Sequence, residues 1–441
     1  MRIIDKIKKV GTLSIIDSLY KKLIYKDLLI SLFPFLLKKK MQLAKEKQEE
    51  TISKIKKKKL ITIAFFIQTP TTWKYERLYR LFEKNERYNP IVIITPYNVH
   101  LYYDKNECLK VVKQTQQFVL QQQYNFYNTY NQDNNKWTDI KKMINPDIIF
   151  FTKPYKDTLP LYHLYNFIDK LTCYVPYGFL CVDIYRINYN LAFHNLLWKF
   201  FVETEFQHSF SKQYALNKGQ NVVITGSLGT ELFIDKTYIP KDVWKPQTVR
   251  KKRIIWAPHH TLFDLFNFST FLTFCDFMLE LAQKYEDKIQ FAFKPHPVLK
   301  FKLINLWGKE KTDNYYKQWN NIPNGQLEEG AYTDLFLTSD AMIHDCASFT
   351  AEYLYTLKPV AYLVKGEQIL EHLNPFGRMA FDMHYHVSND NEIDDFIQNI
   401  VIKGNDIMHD EREIFFNTYL YPKDNILPSQ KILNLLEKEL C

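Results

Sequence analysis

Histidines follow two apolar runs in the second half of the chain, at positions where strands would end. His259 and His260 come after the run that ends at Trp256, and His296 lies between two prolines that close the next run. A proline restricts its own φ and disfavours the α region for the residue before it, so the His296 imidazole should leave its strand in a set direction. Such an imidazole could donate a hydrogen bond to a phosphate or transfer a proton. The alternative is a histidine that caps the strand through backbone hydrogen bonds.

A third polar element opens a predicted helix. Asp345 and Ser348 stand between an apolar run and an apolar helical stretch, so either side chain could cap that helix. Free amides at a helix N-terminus favour anions, and a serine hydroxyl could add a hydrogen bond to a diphosphate. Glu352, one turn later, would either reach a ribose hydroxyl or lie exposed. Lys294, close to His296 in sequence, would add positive charge.

The same residues give little indication of a metal or a cofactor. His259 and His260 are adjacent, so we expect their rings to point in different directions, with at most one of them in the site. No further ligands stand at metal-site spacing, and none of the six cysteines forms a Cys-x-x-Cys pair. The sequence contains no Walker-type loop and no G-x-G-x-x-G. We therefore expect neither a metal ion nor a cofactor, and buried thiols in a reducing compartment.

The elements that would position these residues are parallel strands. From Leu60 onwards, short apolar runs alternate with stretches of helical periodicity, and a second such series begins near Asn221. Strands that are apolar on both faces and alternate with helices are typical of parallel sheets, whose ligands bind beyond the carboxyl ends of the strands. The sequence therefore predicts an α/β protein with two Rossmann-type domains that face a cleft, residues 59–215 and residues 216–441.

The first 58 residues differ from the rest. A ten-residue, mostly apolar run ends at Leu37 and is followed by three lysines, and Lys56 to Lys59 extend the basic character. A membrane-spanning helix needs about 20 apolar residues, but a shorter segment with a basic flank can lie on a lipid surface. We expect residues 1–58 to be a basic amphipathic segment on an anionic membrane surface. The alternative is a helical hairpin packed on the body of the protein with its lysines in water.

The net positive charge of the chain favours an anionic partner but does not identify which one. The chain of 441 residues has 58 Lys and Arg against 49 Asp and Glu, a formal charge of +9. No base-stacking module is recognisable, so nucleic acid is not an expected partner. No secretory signal is recognisable either. We therefore expect a cytoplasmic protein, peripheral on the inner face of the bacterial cell membrane.

Taken together and in order, these motifs resemble the CDP-glycerol glycerophosphotransferase family, which includes the teichoic-acid polymerases. The resemblance covers about residues 60 to 425. It rests on Ala257-Pro258, His296-Pro297, Asp345 with Ser348, Lys358-Pro359, Asn145-Pro146-Asp147 and Pro154-Tyr155. It implies a GT-B-like fold and an enzyme that transfers a polyol phosphate, most simply glycerol phosphate, from a CDP-linked donor. The acceptor would be a hydroxyl of a membrane-linked cell-surface polymer or glycolipid, and CMP would leave.

The resemblance also implies roles for particular residues. His296 would be catalytic or contact the donor phosphates, and the donor would be held by Lys294, Asp345, Ser348, Glu352 and Gly226. The family often has a His-Gly-Thr element in its first domain, whose histidine resembles a general base. Here Tyr177 and Gly178 occupy that position on the acceptor side. A tyrosine titrates near ~10 and is a poor base at neutral pH, so His259, His260 or an acidic residue such as Asp183 would serve instead.

Two alternatives remain open at this stage. The chain could be a GT-B nucleotide-sugar glycosyltransferase in capsule or lipopolysaccharide synthesis, which would release UDP. It could also be a catalytically silent, membrane-bound assembly partner that retains the fold.

Overall fold

The computed structural model describes residues 33–97, 105–263, 267–366 and 369–440. Its strands are β1 (Ile61–Ile67), β2 (Tyr88–Ile94), β3 (Phe126–Asn128), β4 (Tyr130–Asn131), β5 (Lys136–Trp137), β6 (Ile148–Phe151), β7 (Leu171–Tyr174), β8 (Lys199–Val202), β9 (Val222–Ile224), β10 (Lys252–Ala257), β11 (Ile289–Phe293), β12 (Gly325–Leu327), β13 (Ala341–His344), β14 (Val360–Leu363) and β15 (Tyr385–Val387).

Its α-helices are α1 (Pro34–Ile55), α2 (Glu76–Glu83), α3 (Lys105–Gln121), α4 (Ile140–Met143), α5 (Tyr185–Tyr189), α6 (Ala192–Leu196), α7 (Glu205–Tyr214), α8 (Glu231–Ile234), α9 (Phe271–Lys284), α10 (Pro297–Trp307), α11 (Lys309–Asn321), α12 (Thr333–Thr338), α13 (Phe349–Glu352), α14 (Ile369–His372), α15 (Pro375–Phe381), α16 (Asp390–Asp395), α17 (His409–Phe415) and α18 (Pro428–Leu440). Short 3₁₀ helices span Pro70–Thr72, Pro160–Tyr162, Leu164–Phe167, Leu228–Thr230 and Tyr353–Thr356, and π-helical turns span Phe396–Ile402 and Phe416–Leu420.

The chain forms two compact units. The first unit comprises the residues up to Tyr177, Tyr185–Leu228 and the C-terminal segment from Pro428. The second unit comprises Gly178–Ile184 and Gly229–Leu427. The division is not sequential, because a short segment after Tyr177 belongs to the second unit and α18 belongs to the first.

The first unit is built on a seven-stranded sheet in the order β3-β2-β1-β6-β7-β8-β9. All its neighbouring strands run parallel, and β1 is buried along almost its whole length, as its apolar sequence predicts. The chain builds outward from β1 to β3 and then returns to place β6 on the other side of β1. The carboxyl ends of β1 and β6 therefore form the topological switch point of this sheet.

The second unit repeats this arrangement with a six-stranded parallel sheet in the order β12-β11-β10-β13-β14-β15. Counted from its own first strand, the order is that of the Rossmann fold, and its switch point lies between β10 and β13. Trp256, at the end of β10, is fully buried, and its ring stacks on Phe271 and Phe293 at centroid distances of 5.7 and 5.0 Å. The prediction of an α/β protein with two Rossmann-type domains of GT-B-like type is confirmed.

Helix α1 packs on the first unit with one face only. Leu37, Ala44, Gln48 and Ile55 are buried, and the Gln48 side chain donates a hydrogen bond to the Leu196 carbonyl at 3.2 Å. Most of the predicted segment 1–58 before this helix lies outside the described residues. Among the described residues, no helix combines the length and apolar character needed to cross a membrane.

Candidate functional site

A buried carboxylate joins the two strands at the switch point of the second unit. Asp345 follows β13, has no exposed surface and accepts hydrogen bonds from the His259 amide at 2.5 Å and the Thr270 amide at 2.5 Å. It also accepts from the Thr270 hydroxyl at 2.8 Å. Burial raises the pKa of Asp345 to about 6, against these hydrogen bonds. Asp345 thus positions the loop after β10 and is not the helix cap that its sequence position suggested.

Three histidines meet beside this carboxylate. The ring centroid of His260 lies 4.4 Å from that of His259 and 4.2 Å from that of His296, and His259 and His296 are 5.1 Å apart. The expectation that one of the adjacent histidines would point away is therefore wrong. The loop after β10 turns both rings towards the end of β11, because its backbone is held by Asp345.

The hydrogen bond made by His296 determines which ring nitrogen carries its proton. His296 stands just before α10, and its Nδ1 accepts a hydrogen bond from the Val298 amide at 3.1 Å. Burial, helped by the charges of His260, Lys294 and Lys302, holds the pKa of His296 well below its usual range. The ring is therefore neutral at pH 7, and since Nδ1 is an acceptor, Nε2 carries the proton. His296 combines the capping role with a hydrogen-bond donor directed elsewhere.

The histidine cluster could hold either a metal ion or an anion. One ring nitrogen from each histidine lies within 4.8 Å of the others, a spacing that a transition metal could draw together. This cluster was not predicted from the sequence. Two observations favour an anion. Metal binding through Nε2 of His296 would have to displace its proton, and Lys294 and Lys302 add positive charge beside the cluster. The N-terminus of α10 adds further positive potential at His296.

Ser348 and Glu352 lie near a loop that the sequence analysis assigned to the acceptor side. A Cβ atom on Gly178 would stand 3.4 Å from Ser348 Cβ and 3.7 Å from Glu352 Oε1. Glu352 is buried and accepts hydrogen bonds from the Phe179 amide at 3.0 Å and from the Tyr332 hydroxyl. Oε1 of Glu352 thus holds the loop and Oε2 binds Tyr332, and the proposed alternative of an exposed helix residue is excluded. Gly178 belongs to the second unit together with Ser348.

Ser348 lies beside the loop that contains Gly178, whereas Lys294 lies beside the histidine cluster. Ser348 is half-buried at the N-cap position of α13, but its hydroxyl makes no capping hydrogen bond there. Lys294 is buried at the end of β11, and its ammonium group donates to the Gly330 carbonyl at 2.7 Å. The Ser348 hydroxyl is therefore not committed to the cap, whereas the lysine contributes chiefly charge.

Two predicted site residues belong to the first unit. Gly226 follows β9 with a φ of +90°, and a Cβ there would stand 3.0 Å from the Pro428 ring. Its glycine is thus explained by backbone conformation and close packing. Tyr177 follows β7 and stands near Tyr155, with ring centroids 6.3 Å apart. Burial raises the pKa of Tyr177 well above its usual value, so this phenol stays protonated at neutral pH and is poorly suited to act as a general base.

Thr270 and Tyr332 support the site and were not identified from the sequence. The Thr270 hydroxyl and amide both bind Asp345, and the Tyr332 hydroxyl binds Glu352. In the sequence, each is only a polar residue before an apolar run. Such residues are common at helix starts, so nothing distinguished these two.

Comparison with known proteins supports the fold. No protein-family model and no curated protein matches the chain. A Listeria monocytogenes structure, described as a UDP-N-acetylglucosamine 2-epimerase, aligns with a TM-score of 0.55 and 13% identity over 86% of this chain and 96% of the other. The Neisseria meningitidis UDP-GlcNAc 2-epimerase bound to UDP-GlcNAc aligns with a TM-score of 0.52 and 16% identity, covering 86% and 100%. The Methanocaldococcus jannaschii UDP-GlcNAc 2-epimerase in complex with UDP-GlcNAc and UDP aligns with a TM-score of 0.52 and 12% identity, covering 86% of this chain and 100% of the other. At these identities the likeness shows the fold alone, which is GT-B-like with two Rossmann-type units.

The resemblance to CDP-glycerol glycerophosphotransferases is corrected by these findings. Solved structures that share the fold include the UDP-GlcNAc 2-epimerases named above, none of those three is a glycerophosphotransferase, and no family model matches. The predictions of that family, of CDP-glycerol transfer and of a glycerophosphotransferase were wrong. The physical reason is that a His-Pro element at a strand end and a serine before a helix offer hydrogen-bond donors that suit a diphosphate whatever group it carries. Such motifs identify neither the nucleobase of the donor nor the group that is transferred.

Proposed function

We propose that the chain is a nucleotide-sugar enzyme that binds the diphosphate of a UDP-linked sugar at the switch point of the second unit. The observation that carries the proposal is the cluster of His259, His260 and His296 beside Lys294. It combines a neutral ring N–H donor with positive charge at the carboxyl ends of parallel strands, where nucleotides bind in such sheets. The choice of UDP is supported by solved structures of similar fold that are bound to UDP-GlcNAc and UDP.

The chemistry of the diphosphate explains why this arrangement suits it. A hydrogen bond from His296 Nε2 to a phosphate oxygen would be charge-assisted, and Lys294 would stabilise the negative charge of the bound nucleotide. If the glycosyl–phosphate bond breaks, negative charge grows on the leaving UDP, and the same groups stabilise it further. Ser348, whose hydroxyl makes no capping bond, is the second donor that we assign to the diphosphate.

Binding is tested with the full chain by thermal shift and calorimetry against UDP, UDP-N-acetylglucosamine and CMP. A ligand at 100 times its dissociation constant should stabilise the folded state by about 2.7 kcal/mol. We expect the uridine ligands to stabilise the protein and CMP not to do so. EDTA should leave the affinity unchanged, and an affinity that requires added Zn²⁺ would replace the anion interpretation with a metal site.

The variant that isolates the donor is His296→Asn. The asparagine oxygen can still accept from the Val298 amide, so the cap of α10 survives while the distal N–H is removed. We expect UDP affinity to fall about 10- to 100-fold, the value of one charge-assisted hydrogen bond, with an unchanged melting temperature. His409→Asn, at an exposed histidine of the same unit, is the matched control. Unchanged affinity in His296→Asn would refute the proposed site.

The reaction is identified separately from binding. Incubation with UDP-N-acetylglucosamine, followed by NMR at C2 of the sugar, detects epimerisation. Release of UDP that depends on an added glycan extract detects glycosyl transfer, the alternative that the sequence analysis left open. Binding of uridine ligands without either product would restrict the proposal to a nucleotide-sugar binding protein.

A further inference from the structure

The two halves of helix α1 differ in charge. Residues 34–45 contain four lysines and no acidic residue, whereas residues 46–55 contain two lysines and three glutamates. The helix is therefore basic at its beginning and slightly acidic towards its end. A uniformly solvated helix has no need of such a division, because alternating charges give it better i,i+4 pairing.

The helix is anchored, so its outer face has a defined orientation. Gln48 donates to the Leu196 carbonyl, and the Thr51 hydroxyl donates to the Asp169 carbonyl at 2.9 Å, both within the first unit. Leu37 and Ala44 are buried on the same face. The buried face of α1 therefore fixes the orientation of the helix. The opposite face of residues 34–45 points away from the first unit, and its side chains take no part in these contacts.

That outward face carries aromatic and basic side chains together. Phe35, Lys39 and Leu43 recur every four residues and so share one side of the helix. Phe35 is 57% exposed and Leu43 is 39% exposed, and the rings of Phe33 and Phe35 meet edge to face at 6.4 Å. The lysines at 38, 39 and 45 are exposed among them. We define Phe33, Phe35, Lys38, Lys39, Leu43 and Lys45 as the docking face.

We propose that the docking face binds the surface of an anionic lipid bilayer. The apolar side chains would enter the interface between head groups and acyl chains, and the lysines would contact lipid phosphates. Charge decides this occupant, because the face has exposed cations without a carboxylate until Glu46. The two adjacent Phe rings distinguish it from a purely electrostatic partner. The proposal refines the expectation for residues 1–58 and does not depend on the nucleotide-sugar assignment.

The experiment is co-sedimentation of the full chain with vesicles of pure phosphatidylcholine or of phosphatidylcholine with phosphatidylglycerol. We expect binding to the anionic vesicles, weakened by salt because the attraction is screened. Each lysine contributes on the order of a fivefold factor at an anionic surface, so replacing Lys38, Lys39 and Lys45 by Glu should weaken binding by about 100-fold or more. All three are exposed, so melting temperature should not change.

The matched control for charge is the triple replacement of Lys236, Lys241 and Lys423 by Glu. These lysines are exposed in the second unit, and the change in net charge is identical. We expect this variant to lose much less binding than the docking-face variant. Equal losses in the two triple variants, or equal binding to both kinds of vesicle, would overturn the proposal.

The apolar contribution is tested with Phe33→Ser combined with Phe35→Ser. Loss of two partly inserted rings should weaken vesicle binding by roughly 10-fold. Ile239→Ser combined with Ile407→Ser removes two apolar side chains elsewhere on the protein that are more exposed than the phenylalanines, at 85% and 82%, and should have little effect. Unchanged binding in the phenylalanine variant would likewise contradict the docking face, whatever the lysines do.

Discussion

The two units share one sheet design but differ in what stands at their switch points. In the first unit, the Gln68 side chain after β1 accepts a hydrogen bond from the Thr152 hydroxyl after β6 at 2.8 Å. Lys153 next to it is paired with Asp157 at 2.8 Å. In the second unit, Asp345 holds backbone donors while His296 keeps a ring N–H beyond its capping bond. The same fold therefore pairs Gln68 with Thr152 and Lys153 with Asp157 at the switch point of one unit, whereas in the other unit it leaves a histidine ring N–H that can bind a ligand.

The largest expected effect is the loss of the buried carboxylate. Asp345→Ala leaves three donors without their acceptor, so we expect the free energy of unfolding to fall by about 3–5 kcal/mol in urea denaturation. Thr152→Val at the first switch point removes a neutral hydroxyl whose single proton is shared between the Phe66 carbonyl and Gln68 Oε1, and should cost about 1 kcal/mol. Equal costs for the two variants would remove the distinction between the units.

Two buried groups, Asp345 in the second unit and His194 in the first, should change the free energy of unfolding in opposite directions as pH falls. The pKa of Asp345 is raised to about 6 in the folded protein, so its contribution to stability is present at low pH and is lost as pH rises through 6. Burial lowers the pKa of His194, in the first unit, to about 3, so its contribution is present above pH 6.5 and is lost as pH falls.

The measurement is the free energy of unfolding between pH 7 and pH 4. Relative to Asp345→Asn, the wild type should gain up to about 3 kcal/mol as pH falls. Relative to His194→Gln, it should lose an amount of similar order over the same interval. Parallel curves for the wild type and either variant would mean that the corresponding group does not titrate differently in the folded protein.

A smaller effect is expected where the second unit is crowded beside Ser348. A methyl group at Gly178 would make ordinary contacts with Ser348 and Glu352, so Gly178→Ala should change stability by less than about 1 kcal/mol. It would narrow the space beside the Ser348 hydroxyl, and UDP affinity should fall about 3- to 10-fold. Gly330→Ala, whose Cβ would meet nothing within 4 Å, is the control. Unaltered affinity in Gly178→Ala would place the ligand away from Ser348.

The smallest effect is expected in the first unit. Because the pKa of Tyr177 lies far above neutrality, Tyr177→Phe should leave the pH profile of UDP-N-acetylglucosamine turnover unchanged and its rate within about twofold. The comparison is made by steady-state kinetics from pH 6 to 9. If one of the pKa values in the pH profile of the wild type were missing in this variant, Tyr177 would take part in proton transfer. The first unit would then contribute to the chemistry, and the difference between the two units would no longer hold.

The sequence predicted the strand ends better than the ligand. Prolines and polar residues after apolar runs located His259, His260, His296 and Asp345 at the carboxyl ends of β10, β11 and β13, and the structure has them there. The inference from these motifs to a CDP-glycerol family was wrong, because hydrogen-bond donors for a diphosphate do not depend on the nucleobase or on the attached alcohol. The role of Gly226 was assigned to the donor site, but its position in the first unit and its φ give it a packing explanation.

The sequence by itself determined the local elements: apolar runs of strand length, the helices between them and the points where proline ends a strand. These follow from steric limits and burial within a few residues of chain. Only the tertiary structure decided that both adjacent histidines meet His296, that Asp345 serves the β10 loop, and that α18 returns to the first unit. Each of these depends on strand order and pairing between distant segments, for which hydrophobic periodicity carries no information.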